Sequence, residues 1–190
     1  MAYHMYITDA LVCGSYERNT SDRSVILFTR EVGMLTASVR SVREERSKHR
    51  YALQDFSLVR VSLVRGKGGW RLTGSESGRN LYFDAPAREA RGVVRNIVRV
   101  LRRFAGGETP MPEMYDDVVS FLSEGEMLTE RGELLLTFRI LESLGYVAPG
   151  KETETLRNER RARNILNEFS TAQETICRKA VQNALEVSHL

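Results

Sequence analysis

The chain has 190 residues, 42% of them apolar and 28% charged, which excludes a disordered tail and leaves room for one compact domain or two small ones. The net charge of +3 is too small to argue for any partner, and two cysteines, Cys13 and Cys177, exclude a disulfide framework or a Cys-rich zinc site. The charge is unevenly spread: residues 1–84 hold 13 Lys and Arg against 9 Asp and Glu, whereas residues 85–190 hold 15 against 16.

In chain order, the first ~80 residues read as short strands separated by turn formers. Met5–Cys13 is a first strand, followed by the turn-rich loop GSYERNTSDR, and Ser24–Thr29 is a second. In Met34–Arg40, Leu35, Ala37 and Val39 share one face and Thr36, Ser38 and Arg40 the other, the period of a half-buried strand. Ser57–Arg65 is a fourth strand, Gly66–Gly69 a hairpin turn, and Trp70–Thr73 the start of a fifth. Five strands with a long third-to-fourth connection fit a small closed barrel, either an oligonucleotide-binding (OB) or an SH3-like one.

The pattern then turns helical. Pro86 marks the first turn of a helix in which Ala90, Val93, Val94, Ile97, Val100, Leu101 and Phe104 share one side. Arg88, Arg91, Arg95, Arg99 and Arg102 stripe the other. Gly106-Gly107 ends it, and TPMP is a linker turn. Further helices are expected near Glu113–Ser123, Thr129–Leu144 and Thr171–Val187, with a highly charged segment at Lys151–Arg163. Thr171 with Glu174, or Ser170 with Gln173, offers a capping box for the last one. The fold class expected is α+β: an N-terminal five-stranded OB-type barrel over residues 1–84 and a helical domain over 85–190.

Between Ser38 and Arg71 stand nine basic residues and three acidic ones, Glu44, Glu45 and Asp55. Such a loop cannot enter an apolar core unpaired, so it faces water or a polyanion. Several short elements around it occur in a specific order: Ser15–Glu17, Leu27–Arg30, Gly33–Val39, Ser47–Arg50, Leu53–Ser57 and Arg65–Gly66, then LTFRILESLGYVAP at Leu136–Pro149 and ALEVSHL at Ala184–Leu190. In that order they resemble the RecO family of recombination mediators. The resemblance implies an OB barrel followed by a helical domain that binds single- and double-stranded DNA and anneals complementary strands. It also implies cooperation with RecR to load RecA onto strands coated by single-strand-binding protein. Two departures stand out. Ala148–Arg163 contains no cysteine, so the four-cysteine zinc module of many members is not carried over, and no cofactor is expected. The usual Arg-Gly-x-Arg reads Arg40-Ser41-Val42-Arg43, and serine takes positive φ less readily than glycine.

The DNA-binding candidates are therefore Arg40, Arg43, Arg46, Lys48, Arg50 and Tyr51 in the loop, Arg65, Lys67 and Arg71 at the hairpin, and Arg88, Arg91 and Arg95 on the helix. The bland alternative for each is a solvated surface charge. Arg and Lys would neutralise phosphates without reading sequence. Tyr51 and Phe56 flank the loop and could stack on bases, with core packing equally open for Phe56. Trp70 shares strand parity with Leu72, which favours the core over stacking. The arginine stripe either extends a DNA path or pairs with Asp116, Asp117 and Glu124. For the acidic, apolar C-terminal tail of single-strand-binding protein, the resemblance leaves Arg131 and Arg139 with Leu135 and Phe138 as candidates.

Catalysis is not expected: His4, His49 and His189 stand alone, adjacent Asp116 and Asp117 diverge on a helix, and the GKGG turn lacks a phosphate-cradling context. Apolar runs are broken by Arg or Glu before the ~20 residues that a membrane span needs, so a cytoplasmic, nucleoid-associated protein is expected. The reading is a zinc-free DNA-annealing recombination mediator. Its rivals are an OB-type RNA-binding module and a protein-interaction adaptor.

Overall fold

Alternating apolar residues in the first eighty positions build strands β1 (Met5–Glu17), β2 (Arg23–Thr29), β3 (Gly33–Val39), β4 (Ser57–Gly66) and β5 (Gly69–Asn80). The computed structural model describes residues 4–17, 23–39, 52–148, 150, 153–154, 156, 166–167 and 169–187. The sheet closes on itself in the order β1-β2-β3-β5-β4, and β3 meets β5 in parallel through Ala37↔Trp70 and Ser38↔Arg71. All other pairings are antiparallel. This is the OB arrangement rather than the SH3-like one. β1 and β2 run further into the expected loop than the turn formers suggested, because Ser15↔Val25, Tyr16↔Ser24 and Glu17↔Arg23 still pair.

The barrel interior is filled by Ala10, Val12, Val25, Leu27, Leu35, Ala37, Val39, Val59, Val61, Leu63, Trp70 and Leu72. Trp70 is 6% exposed, as is Leu72, so strand parity put both rings of the argument in the core. Burial of a large ring removes Trp70 from any role as an exposed stacking platform. Tyr6 meets it edge to face at 5.1 Å, and the Arg65 guanidinium covers it at 5.5 Å.

Four helical turns' worth of chain follows the barrel directly. Asn80 caps the short α1 (Leu81–Asp84), its Oδ1 accepting from the Tyr82 and Phe83 N–H groups. Helix α2 (Arg88–Phe104) begins two residues after Pro86, with Ala87 at its N-cap. Its apolar side buries Ala90, Val93, Val94, Ile97, Val98, Leu101 and Phe104; Val98 joins this set and Val100 is only half buried. Helices α3 (Pro112–Ser123), α4 (Glu130–Ser143) and α5 (Thr171–Val187) complete the described helices, with a 3-10 turn at Gly125–Met127. The Ser170–Gln173 capping box forms: the Gln173 N–H donates to Ser170 Oγ at 3.2 Å and the Ser170 N–H to Gln173 Oε1 at 3.0 Å.

Helices and barrel share one apolar cluster. Leu11, Cys13 and Phe28, on the outer face of β1 and β2, pack with Val94, Ile97, Leu101, Tyr115 and Val118. A third cluster joins α4 and α5 through Phe104, Leu135, Phe138, Leu141, Phe169, Cys177 and Ala184. Ion pairs fasten the rim. Arg30 donates to both oxygens of Asp116 at 2.8 and 2.9 Å, which holds that carboxyl below its ordinary range, and Arg65 reaches Glu108 at 2.8 Å. The acidic residues thus serve other arginines than the stripe. Asp117 pairs with Arg139 at 2.8 Å, and burial pushes its carboxyl up against that pull.

Gly33 is where the segment after α2 rests on the β2–β3 turn. Its φ is +85°, the Met34 N–H donates to Gly107 O at 3.1 Å, and a Cβ would stand 2.2 Å from Thr109 O. Gly33→Ala is expected to cost about 2 kcal/mol or more, from backbone strain plus a clash with main chain that cannot swing away. A urea midpoint equal to that of the parent would mean that this contact does not form.

Burial also pushes the thiols of Cys13 and Cys177 up from 9.0 to about 12. A raised value in the fold favours the protonated thiol, so this contribution to stability is whole below about pH 9 and is lost as pH rises toward 12. Thiol reagent at pH 8 is expected to label neither cysteine until denaturant is added, and the urea midpoint should fall above pH 9. Rapid native labelling of Cys13 would contradict its burial.

Candidate nucleic-acid interface

The stripe on α2 follows from helix periodicity: with α2's apolar side committed to β1, its arginines face the opposite way. Where that stripe passes the end of the barrel, it forms one wall of a cleft of about 500 Å³. Arg95, Arg99, Arg102 and Arg103 line it from α2, with Val98 between them. Asp55 and Phe56 line it from the segment entering β4, and Cys13 from β1.

Each wall is fixed by local structure. A bulge between Val12 and Gly14 interrupts the β1–β2 register. Gly14 then presents bare backbone to Arg102, whose Nη1 lies 3.1 Å from where a Cβ would stand. Phe56 has φ +70°, an outlying conformation for a bulky residue. Three hydrogen bonds hold the segment there. The Phe56 N–H donates to Val12 O at 2.8 Å, the Leu81 N–H to Phe56 O at 3.1 Å, and Asn80 Nδ2 to Asp55 O at 3.0 Å. The Phe56 ring stacks on Tyr82 with centroids 5.2 Å apart, and Arg91 covers Tyr82 at 5.8 Å.

The electrostatics of the cleft are one-sided. Among the described residues, Arg95, Arg99 and Arg102 have no carboxylate within ion-pair distance, while Arg103 donates to Leu185 O at 2.9 Å and lies over Phe104. Asp55 accepts from Ser15 Oγ at 3.0 Å and lies 4.0 Å from Arg23 Nη2. Glu133 sits near Arg95 and Arg99; burial pushes its carboxyl up, although Asn96 Nδ2 donates to both its oxygens at 3.0 and 3.2 Å. Guanidinium forks facing a cleft with so little opposing charge suit a phosphate group. Among the described residues, no three His, Cys, Asp or Glu side chains converge on a metal position.

The expected site residues divide accordingly. Arg40, Arg43, Arg46, Lys48, Arg50 and Tyr51 lie outside the described residues. Arg88, Arg91 and Arg95 are exposed along α2, and Arg95 reaches the cleft. Arg65, Lys67 and Arg71 are exposed at the β4–β5 hairpin. That hairpin stands at the far end of β4 from Phe56, ten residues of strand, or roughly 30 Å of strand at about 3.3 Å per residue. The hairpin and cleft arginines are therefore separate groups. Leu135 and Phe138 are fully buried under α5. Arg131 pairs with Glu174 and donates to Phe169 O, and Arg139 is tied to Asp117. A docking pocket at those four residues would require α5 to leave. Sequence reasoning missed Cys13, Asp55 and Arg103 as cleft residues; only the helical period of the stripe pointed to Arg99 and Arg102.

A closed five-stranded OB barrel with an arginine-faced helix at its end defines a class, the oligonucleotide-binding-fold proteins. Residues 1–78 match the family described as "Recombination protein O N terminal". The chain is 31% identical over 139 residues to "DNA repair protein RecO" of Myxococcus xanthus, covering 71% of this chain and 56% of that protein. The protein of the same name in Syntrophotalea carbinolica is 30% identical over 153 residues, covering 73% and 55%. That of Dehalococcoides mccartyi is 26% identical over 145 residues, covering 75% and 57%. The chain belongs to the RecO family, and it spans a little over half the length of these relatives.

Asn80 joins the α1 cap to the segment that carries Phe56. Asn80→Ala removes its hydrogen bonds to Asp55 O, Ser57 Oγ and the two capped N–H groups. A loss of about 2 kcal/mol in urea unfolding is expected. An unchanged midpoint would show that the cleft wall is held by other contacts.

Proposed function

We propose that this chain is a DNA-binding protein of recombinational repair that brings complementary strands together by neutralising their phosphates. The observation that carries the reading is the cleft in which Arg95, Arg99 and Arg102 converge without a described ion-pair partner. The hairpin arginines give a second contact region, so one protein can touch a strand, or two strands, at two places. Annealing needs charge neutralisation and no nucleotide hydrolysis, so the proposed activity is non-catalytic. The names of the relatives support the repair role, and family membership supports cooperation with RecR-like and RecA-like proteins and with single-strand-binding protein. Among the described residues no helix is long and apolar enough to cross a membrane.

The test is the rate at which two labelled complementary strands anneal with and without the protein. Acceleration at low salt that fades as salt rises is expected, because bound phosphates release counterions. Replacing Arg95, Arg99 and Arg102 together by Gln should remove most of the acceleration. It should also flatten the slope of log affinity for single strands against log salt by about 2, at about 0.7 per phosphate contact. No acceleration at saturating protein would sink the annealing role, and an unchanged slope would place DNA away from the cleft.

A further inference from the structure

We propose that the cleft seats a single unstacked nucleotide, its phosphate on Arg95, Arg99 and Arg102 and its base against the ring of Phe56. This rests on the DNA-binding reading above and adds a base-holding function to what would otherwise be a phosphate track. Four observations point the same way. At about 500 Å³ the cleft is the size of a small-molecule site, deeper than phosphate contact alone requires. Its lining is mixed: guanidinium groups on one wall, and Phe56, Val98 and the neutral, buried Cys13 on the others. Phosphate suits the first and an aromatic base the second.

Phe56 is also built as a platform. Its ring continues a stack that begins with Arg91 over Tyr82 and passes from Tyr82 to Phe56, and the same residue lines the cleft. Its left-handed backbone, held by bonds to Val12, Leu81 and the Asn80 side chain, is strain that a merely half-buried packing residue does not need. The one carboxylate of the cleft, Asp55, is already engaged by Ser15 and lies toward Arg23. No described polar group converges where a base edge would lie, so the pocket should accept any base; stacking on an aromatic face is tolerant of sequence.

The experiment uses the full chain and a twelve-residue thymidine oligonucleotide carrying one 5-iodouracil, photo-crosslinked and mapped by mass spectrometry. The principal adduct is expected on Phe56; adducts confined to other residues overturn the proposal. Phe56→Leu, if folded by its urea transition, should bind the strand about fivefold more weakly or worse, with an unchanged salt slope, since no phosphate contact is lost. Equal affinity in the folded variant also overturns it. Thymidine 5′-monophosphate should displace the strand from the cleft at lower concentration than inorganic phosphate. Equal potency would assign the cleft to phosphate alone. In each overturning case a strand affinity that still drops in the arginine triple variant leaves the DNA-binding reading standing; if that also fails to drop, both fall.

Discussion

Burial of the middle of β1 on both faces is the constraint from which the rest of the structure follows. Ala10 and Val12 point into the barrel while Leu11 and Cys13 point out under α2, so four consecutive residues lie in two different cores. An exposed outer face there would leave Leu11, Cys13 and Phe28 in water, at about 25 cal/mol per Å² of apolar surface. Covering them fixes which side of α2 lies down. The arginine stripe is thereby turned to the barrel's end rather than left at an arbitrary angle.

Given that placement, the cleft depends on small backbone features. The bulge at Gly14 makes room for one guanidinium, and the Asn80 side chain holds the segment in which Phe56 takes a left-handed conformation. Neither residue would contact a phosphate itself. Both act by setting where the arginines and the ring stand, which is how a rigid scaffold makes loop residues useful.

Much of the fold was legible because it is local. Period-two alternation located β3 and put Trp70 and Leu72 inside, and the 3.6-residue period marked α2 over its whole observed length. The Ser170–Gln173 cap was readable as a four-residue word. The cleft was not, since Asp55 and Phe56 stand some forty residues before Arg95–Arg103 and no short-range pattern reports their meeting. Leu135 and Phe138 show the complementary difficulty: an apolar helix face looks the same whether it awaits a partner or the chain's own last helix. Asp116 and Asp117 likewise could be paired only once Arg30 and Arg139 were placed.

The order of strands around the barrel also bears on how the chain is made. The first three strands form a meander whose two outer edges, on β1 and β3, have nothing to pair with until later residues emerge. The β4–β5 hairpin supplies both missing neighbours at once, β4 for β1 and β5 for β3. Synthesis from the N-terminus therefore passes through a stage with two open edges, each a template for another chain. A single hairpin ends that exposure, so the barrel goes from fully vulnerable to edgeless in one event.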